Sequence, residues 1–460
     1  MYNPTKSHIH FIGIGGIGMS GIAKILRFQG YRISGCDKDL KQQSIVDLQT
    51  IGCHIYEGNN TPACKDDSID IVVYSSAIKA ENPEIVAAQK KGIPTIARAL
   101  MLAELMRMKY SVAIAGSHGK TTTTSLISHI LIEAGLDPTV IIGGHLKNIS
   151  ANARLGKGDF LVAEADESDR SLLHLQSTLA IVTNIDFEHT ETYKDLHDVQ
   201  ETFYHFITNL PFYGKAFLCA DDPHIRAILP IVHIKTVLYG LHTSAHIRAE
   251  NISLEPNFSS FSVIHQGENL GTITLSMPGI HNVTNALAAI ALARDLEIPF
   301  SKIQSALSTF AGIARRFCYR GTFLGAEMFD DYGHHPKEIF HTLEVARKRA
   351  QKKLTVLFQP HRYSRTYHLW NEFMRVFSES IIDHLIITDI FAASEKPING
   401  VSSKAFVQAL QKINPSMLVS YVPFDPHFQQ IRAHLESNLA DGDLLLLLGA
   451  GKIYQFPDHI

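Results

Sequence analysis

Cysteine is scarce, with five residues in 460, at positions 36, 53, 64, 219 and 318, and no Cys-x-x-Cys pair. That excludes a disulfide-built fold and a thiolate zinc cluster, and it fits reduced thiols in a cytoplasmic protein. Neither sign of charge prevails: 42 Lys and Arg face 45 Asp and Glu, a net charge of -3. Such a balance gives no electrostatic case for nucleic acid or for an anionic membrane. Long apolar runs are missing. Leu444 to Leu448 is far too short to span a bilayer. The apolar stretch around Phe11 is broken by glycines and carries no cleavage-site pattern, so no signal peptide is expected. No low-complexity segment and no repeat of fixed period is found. The remainder is ordinary globular composition, 45% hydrophobic and 19% charged, in a chain too long for one core. Two to four domains are expected.

The rest of the chain is organised around Ser111 to Ile127. Val112 to Ala115 is β-branched and apolar and reads as a buried strand. Gly116, Ser117, His118 and Gly119 cannot continue it, and Leu126, Ile127, Ile130 and Leu131 then have helical spacing. Strand, glycine loop, Lys120-Thr121, helix is a phosphate cradle: backbone N–H groups and the helix N-terminus face the anion. Lys120 is placed to reach terminal phosphates, and the Thr121 hydroxyl to ligate Mg²⁺. The full pattern wants a glycine where Ile114 stands, so this is a shortened variant. The competing reading is a tight strand-to-helix turn with a chance lysine.

Upstream, His8 to Ser20 runs from a strand into Gly13, Gly15, Gly16 and Gly18 and then a helix, and a second strand ends at Cys36-Asp37. Gly-x-Gly-x-x-Gly with an acid about 20 positions on is a dinucleotide fingerprint, the acid accepting from a ribose hydroxyl. On these residues alone a nicotinamide or flavin, another diphosphate and a purely structural turn all stay open. Ile69 to Tyr74 reads as a further strand ending in Ser75, Ser76 and Ala77, a place where ligands of parallel sheets sit.

Downstream of the phosphate loop, the strand Phe160 to Ala163 ends in Glu164, Asp166, Glu167 and Asp169. An acid at the end of a strand beside a phosphate loop suits a Mg²⁺ ligand, against the alternative of an acidic surface turn. Leu179 to Thr183 ends in Asn184, Asp186, Glu188 and His189. Residues 210 to 275 read as more strands. An Ala-rich helix then begins at His281, with Asn282 and Asn285 on one face of its first turn, either reading a base edge or capping the helix. From Ala314 a third segment begins. Its strands end in Asp330-Asp331-Tyr332-Gly333-His334-His335, in Gln359-Pro360-His361-Arg362 with Arg365 close behind, and in Gly449 to Lys452. Strands alternating with helices predict a parallel sheet. Arginines and histidines clustered at strand ends suit a small carboxylate, which a guanidinium pairs bidentately. Three α/β units with polar strand ends fit an ATP-driven joining of two substrates, although spacing alone does not separate a ligase from a kinase or an ATP-gated sensor.

Taken together, His10 to Ser20, Gly116 to Thr124, Glu164 to Asp169, Asp330 to Pro336 and Gln359 to Thr366 resemble the Mur ligases of bacterial cell-wall synthesis. The resemblance spans nearly the whole chain. It implies an α/β fold of three domains: a Rossmann-like UDP-binding domain (1–107), a central P-loop ATPase-like domain (108–313) and a C-terminal Rossmann-like domain (314–460). The implied reaction joins L-alanine to the lactyl carboxylate of UDP-N-acetylmuramate through an acyl phosphate, with ATP and Mg²⁺, in peptidoglycan precursor synthesis. The alternatives are the related ligase that attaches a murein tripeptide to the same sugar nucleotide and, more distantly, a nucleotide sensor without turnover. The implied protein is cytoplasmic, a monomer or weak homodimer, with small-molecule substrates.

By the same resemblance Gly15, Gly16, Ile17, Gly18, Met19, Ser20, Asp37, Ser75, Ser76 and Ala77 are the UDP site, replacing the nicotinamide reading. Gly116, Ser117, His118, Gly119, Lys120, Thr121 and Thr122 hold the ATP phosphates. Thr121 and Glu164 serve a first Mg²⁺ and His189 a second. Asn282 and Asn285 read adenine, Arg316 faces phosphate and Asp331 accepts from ribose. Tyr332, His334, His361, Arg362 and Arg365 form the alanine pocket. The implied catalytic set is Lys120, Glu164, His189, His334 and Arg362. Three departures stand out: Glu188-His189-Thr190-Glu191 replaces Asp-His-Met-Asp, Gly58-Asn59 replaces Gly-His, and Ala393 replaces a glycine. The predicted helix 195–209 holds no lysine, so the carbamylated lysine that several Mur ligases place there cannot form.

Overall fold

The computed structural model describes residues 7–58, 66–75, 77–146, 151–189, 191–393 and 395–460. Ser76, Cys64, Asn59 and Thr190 lie outside the described residues. The strands form three sheets. The first holds β1 (His8–Ile12), β2 (Arg32–Asp37), β3 (His54–Glu57), β4 (Ile71–Tyr74) and β5 (Thr95–Ala97) in the order β3-β2-β1-β4-β5, with parallel pairing throughout. Strand order reverses at β1, which opens a crevice beyond the C-terminal ends of β1 and β4. Gly13 to Gly16 and Ser75 sit there, and the helix Ile17–Phe28 follows at once, burying Ile22, Ile25 and Leu26 as their spacing predicts. All five residues of β1 are buried, including two histidines. His10 Nδ1 lies 2.8 Å from Ser34 Oγ and its Nε2 lies 2.9 Å from Glu84 Oε2, while His8 Nε2 reaches the same Ser34 hydroxyl at 2.7 Å. The His10 and Glu84 side chains are both 0% exposed.

The second sheet holds β6 (Tyr110–Ala115), β7 (Thr139–Leu146), β8 (Ala151–Arg154), β9 (Phe160–Glu164), β10 (Leu179–Val182), β11 (Lys215–Cys219), β12 (Lys235–Gly240), β13 (Ile247–Leu254), β14 (Ser259–His265) and β15 (Glu268–Leu275), in the order β15-β14-β13-β12-β11-β10-β6-β9-β7-β8. β6 runs parallel between β10 and β9, with Ala115 opposite Val182 and Ile114 opposite Glu164. The loops that follow these three strands therefore emerge together at one edge.

The third sheet holds β16 (Cys318–Phe323), β17 (Ala326–Asp331), β18 (Leu354–Phe358), β19 (His384–Ile387), β20 (Val419–Tyr421) and β21 (Leu444–Leu448), in the order β16-β17-β21-β18-β19-β20. The expected parallel sheet is found from β17 to β20, but β16 pairs antiparallel with β17. The cause is a two-residue turn, Leu324 at φ 54° and Gly325 at φ 81°, whose positive φ angles match the twist of a hairpin. Covered on both faces, β21 is five consecutive buried leucines: Leu444, Leu446 and Leu448 enter one core, Leu445 and Leu447 the other.

By compactness the chain makes two units, one of Met1–Ile252, Ser260–Leu275 and Asn282–Ala311, the other of Ser253–Ser259, Ser276–His281 and Gly312–Ile460. Among the described residues no helix is long and apolar enough to cross a membrane.

Candidate active site

The phosphate loop is held by the neighbouring strand end. Ser117 N–H donates to the Asn184 carbonyl (3.1 Å), His118 N–H to Asn184 Oδ1 (2.8 Å), and Thr183 Oγ1 to the His118 carbonyl (2.6 Å). Gly116 has φ 135°, and a Cβ there would stand 2.0 Å from Thr183 Oγ1. Gly119 has φ 81°, and its Cβ would stand 2.5 Å from Asn285 Oδ1. Only glycine meets both demands. The helix Lys120–Glu133 starts directly behind the loop, its N-terminal N–H groups set for an anion. The Lys120 ammonium donates to the Gly116 carbonyl, to the Ser117 carbonyl (3.1 Å) and to Glu167 Oε1 (2.8 Å). Burial pushes its pKa down, but the Glu167 carboxylate together with Asp166 and Glu188 outweighs burial and holds it above the ordinary lysine value.

Glu164 closes β9, as its strand-end position predicts. His189 follows β10 in a left-handed conformation, φ 55°, and its Nε2 lies 3.5 Å from Glu167 Oε1 and 3.9 Å from Glu188 Oε2. Burial opposes its charging, yet Glu167 and Glu188 raise its pKa. Non-glycine residues in that region cost of order 1–3 kcal/mol and gather at functional sites. Glu188 Oε1 stands 3.0 Å from His118 Nε2, so the departure from Asp to Glu keeps a carboxylate beside the loop.

A cavity of about 340 Å³ joins the glycine loop to the phosphate loop, with Gly16, Gly18 and Met19 on one side and Lys120, Glu164 and Asp166 on the other. Asp37 Oδ2 accepts from Gly15 N–H at 2.8 Å and so shapes the loop itself. Ser75 and Ile17 border the same cavity. Ser75 Oγ accepts from Ala77 N–H at 3.2 Å. Ser20 is fully buried instead: its hydroxyl donates to the Ile17 carbonyl (3.0 Å) and accepts from Asn152 Nδ2 (2.9 Å). Thr122, Asn282 and Asn285 are also buried, and Asn285 Oδ1 accepts from Thr123 Oγ1 at 3.3 Å behind the phosphate loop.

In the third sheet Tyr332, His334, His361, Arg362 and Arg365 come together at the ends of β17 and β18. The His334 and His361 rings lie 5.7 Å apart, and His334 and Tyr332 5.2 Å apart. His334 Nδ1 donates to the Tyr332 carbonyl at 3.1 Å, which leaves Nε2 as the basic nitrogen. Arg365 Nη1 donates to His361 Nδ1 at 3.2 Å. Burial lowers His334 to about 3 and, with Arg365 and Arg362 adding to it, lowers His361 to about 4. Both rings are neutral near pH 7, so the positive charge of the cluster is carried by the arginines. Arg362 sits at φ 70°. Arg316 Nη1 lies 3.6 Å from Glu338 Oε1. Asp331 is engaged internally: it accepts from Phe317 N–H (2.8 Å), Gly333 N–H (2.7 Å) and Thr342 Oγ1 (3.2 Å), and burial raises its pKa. Ala393 holds φ 47°, a conformation that favours glycine.

Four residues escaped the sequence reading. Arg98 Nη2 donates to Asp166 Oδ2 at 3.0 Å, and its Nη1 lies 3.0 Å from where a Cβ of Gly18 would be. Glu167, read only as part of an acidic strand end, is the partner of Lys120. Arg315 lies over the Tyr332 and Tyr454 rings, 4.7 and 4.1 Å to their centroids. Glu395 accepts from Ser364 Oγ at 2.6 Å beside Arg362. Arg315 had a signal in its adjacency to Arg316, and Glu167 in the acidic strand end it belongs to.

Residues 8–110 match the profile of the Mur ligase family catalytic domain, residues 114–293 that of the Mur ligase middle domain, and residues 315–451 that of the Mur ligase glutamate ligase domain. UDP-N-acetylmuramate–L-alanine ligase of Syntrophotalea carbinolica is 46% identical over 462 residues, covering 100% of this chain and 98% of that protein. The chain belongs to the Mur ligase family. A second Mur ligase, the UDP-N-acetylmuramate–L-alanine ligase of Geobacter sulfurreducens, is 48% identical over 99% of this chain and 97% of its own. Among solved Mur ligases, UDP-N-acetylmuramate-alanine ligase from Thermotoga maritima superposes with TM-score 0.80 at 26% identity, covering 98% of this chain and 97% of that one. A murein peptide ligase from Psychrobacter arcticus gives TM-score 0.72 at 26% identity, with the same coverage. The α/β fold expected from the motifs is thereby established.

Proposed function

We propose that this Mur ligase uses ATP to join L-alanine to the lactyl carboxylate of UDP-N-acetylmuramate, giving UDP-N-acetylmuramoyl-L-alanine, ADP and phosphate in the cytoplasm. The reading is carried by the cavity in which the glycine loop, suited to a diphosphate, meets Lys120 and Glu164 of the phosphate loop's edge. The relatives named for this reaction support it along the whole chain. On this reading the three segments 1–107, 108–313 and 314–460 bind the sugar nucleotide, ATP and the amino acid. The loop N–H groups and Lys120 position the γ-phosphoryl group against the lactyl carboxylate, which attacks it to form an acyl phosphate and ADP. The neutral amine of alanine then attacks the acyl carbon, phosphate leaves, and the amine proton passes to the departing phosphate. Thr121 and Glu164 are fitting donors for a first Mg²⁺ and His189 for a second, and when bound these ions would supply positive charge against the triphosphate.

The deciding assay is phosphate release with UDP-N-acetylmuramate against a panel of amino acids and the murein tripeptide. Alanine-dependent release supports the proposal; release with the tripeptide alone would make the chain a murein peptide ligase, and no release a sensor. A pocket sized for one methyl discriminates against glycine by only about 1–3 kcal/mol, so weak glycine turnover is expected.

Arg362 and Arg365 are expected to hold the alanine carboxylate. Replacing either by alanine costs a charged hydrogen bond, about 1.5–3 kcal/mol, roughly 10- to 150-fold in KM for alanine with little change for ATP. Equal effects on all three substrates would assign the arginines to structure instead.

The helix Leu196–Thr208, capped by Asp195, contains no lysine. Activity is therefore expected to be indifferent to CO₂. Initial rates in degassed buffer below pH 7, with and without bicarbonate, check this; activity lost and then restored by bicarbonate would point to a carbamate on another lysine, such as Lys194. His189→Ala should raise the Mg²⁺ requirement.

A further inference from the structure

We propose that Glu167 is the carboxylate ligand of the second metal ion, paired there with His189, and that it reaches that role by leaving Lys120 when nucleotide arrives. This rests on the ligase reading above and adds a ligand to its metal site. The first observation is an atom without a match. Glu167 is 4% exposed; its Oε1 faces Lys120 at 2.8 Å, while its Oε2 is buried with no hydrogen-bond partner. A buried carboxylate oxygen left unsatisfied is costly, and a cation is what would satisfy it. The second observation is geometric. His189 Nε2 looks toward two carboxylates, Glu167 Oε1 at 3.5 Å and Glu188 Oε2 at 3.9 Å, with Glu191 Oε1 3.8 Å from its other nitrogen. One imidazole nitrogen thus faces two carboxylates from two strand ends, groups of the kind that ligate a divalent cation. The third is positional. Tyr193 Oη donates to the Glu167 carbonyl at 2.6 Å and Arg170 N–H to the same carbonyl at 3.1 Å, so the backbone beneath this side chain is fixed.

Without nucleotide, Lys120 is a half-buried ammonium and the buried Glu167 is its counter-charge. Phosphate oxygens offer Lys120 a stronger anion, and its departure exposes Glu167 Oε1 and Oε2 together. A carboxylate then stands beside His189, which is the chemical group that a carbamylated lysine would supply. The helix after His189 has no lysine to carry one.

The test is Mn²⁺ binding to the whole protein with a non-hydrolysable ATP analogue, read by EPR and by equilibrium titration. Two ions per chain are expected for the wild type. Glu167→Gln, which keeps size and the backbone hydrogen bonds, should weaken the second ion at least about 10-fold, since even partners one step removed from a metal are worth 10–100-fold. His189→Ala should weaken the same ion, and Glu167→Asp should restore part of it. If Glu167→Gln keeps both ions at wild-type affinity, Glu167 is only the counter-charge of Lys120 and the proposal falls. A wild type that binds nucleotide with a single ion also overturns it and leaves the ligase reading standing. Failure of the wild type to bind nucleotide at all would strike the ligase reading itself.

Discussion

Lys120→Ala is expected to lower turnover at least about 100-fold, the scale of losing one electrostatic stabiliser aimed at developing charge. Its ammonium sits half-buried at the loop, bound to the Gly116 and Ser117 carbonyls and to Glu167. Charge accumulates on the transferring phosphoryl oxygens more than on bound ATP, so the loss should fall on kcat rather than on KM for ATP. Truncation also leaves the Glu167 carboxylate buried without its cation. The double variant Lys120→Ala, Glu167→Gln separates the two effects: it should recover stability and no turnover. Near-normal turnover in a folded Lys120→Ala protein would overturn the phosphate-loop assignment.

His10→Ala is expected to destabilise the unit that contains it by about 1–3 kcal/mol, the cost of taking the hydrogen-bond partner from a buried polar group. His10 and Glu84 are wholly buried at 2.9 Å, and Ser34 links His10 onward to His8. The substitution takes the imidazole away from a Glu84 side chain that solvent does not reach. Urea unfolding followed by the first transition measures the loss. Glu84→Leu combined with His10→Leu, which removes both polar partners, should cost less than His10→Ala alone; a loss under about 1 kcal/mol for the single variant would contradict the pairing.

Local order was legible because it depends on neighbours in the chain. Apolar runs ending in glycine or acid located β1, β6, β9 and β10, and helical spacing located the helices behind them. The pairings that finish the site were not legible. Lys120 meets Glu167, and Arg98 meets Asp166, across 47 and 68 residues. No periodicity encodes such a distance. Asp331 shows the opposite case: a strand-end acid reads as a ligand group, yet its oxygens satisfy main-chain N–H groups that a sequence does not display. The β16–β17 hairpin was hidden because Leu324-Gly325 is a weak turn signal beside Asn-Gly.

The place of β21 bears on how the chain is made. β17 begins at Ala326 and β18 at Leu354, but the strand that pairs with both begins only at Leu444. Until those leucines emerge, two strands of the sheet lack their common neighbour, with unpaired edges and both apolar faces incomplete. In the first sheet the shared strand β1 comes first in the chain, so synthesis at about 5–20 residues per second should leave that sheet folded while the last one waits. A ribosome stalled between Tyr421 and Leu444 would then display a sticky, half-built sheet, and trigger-type chaperones should crosslink to the nascent chain most strongly in that interval.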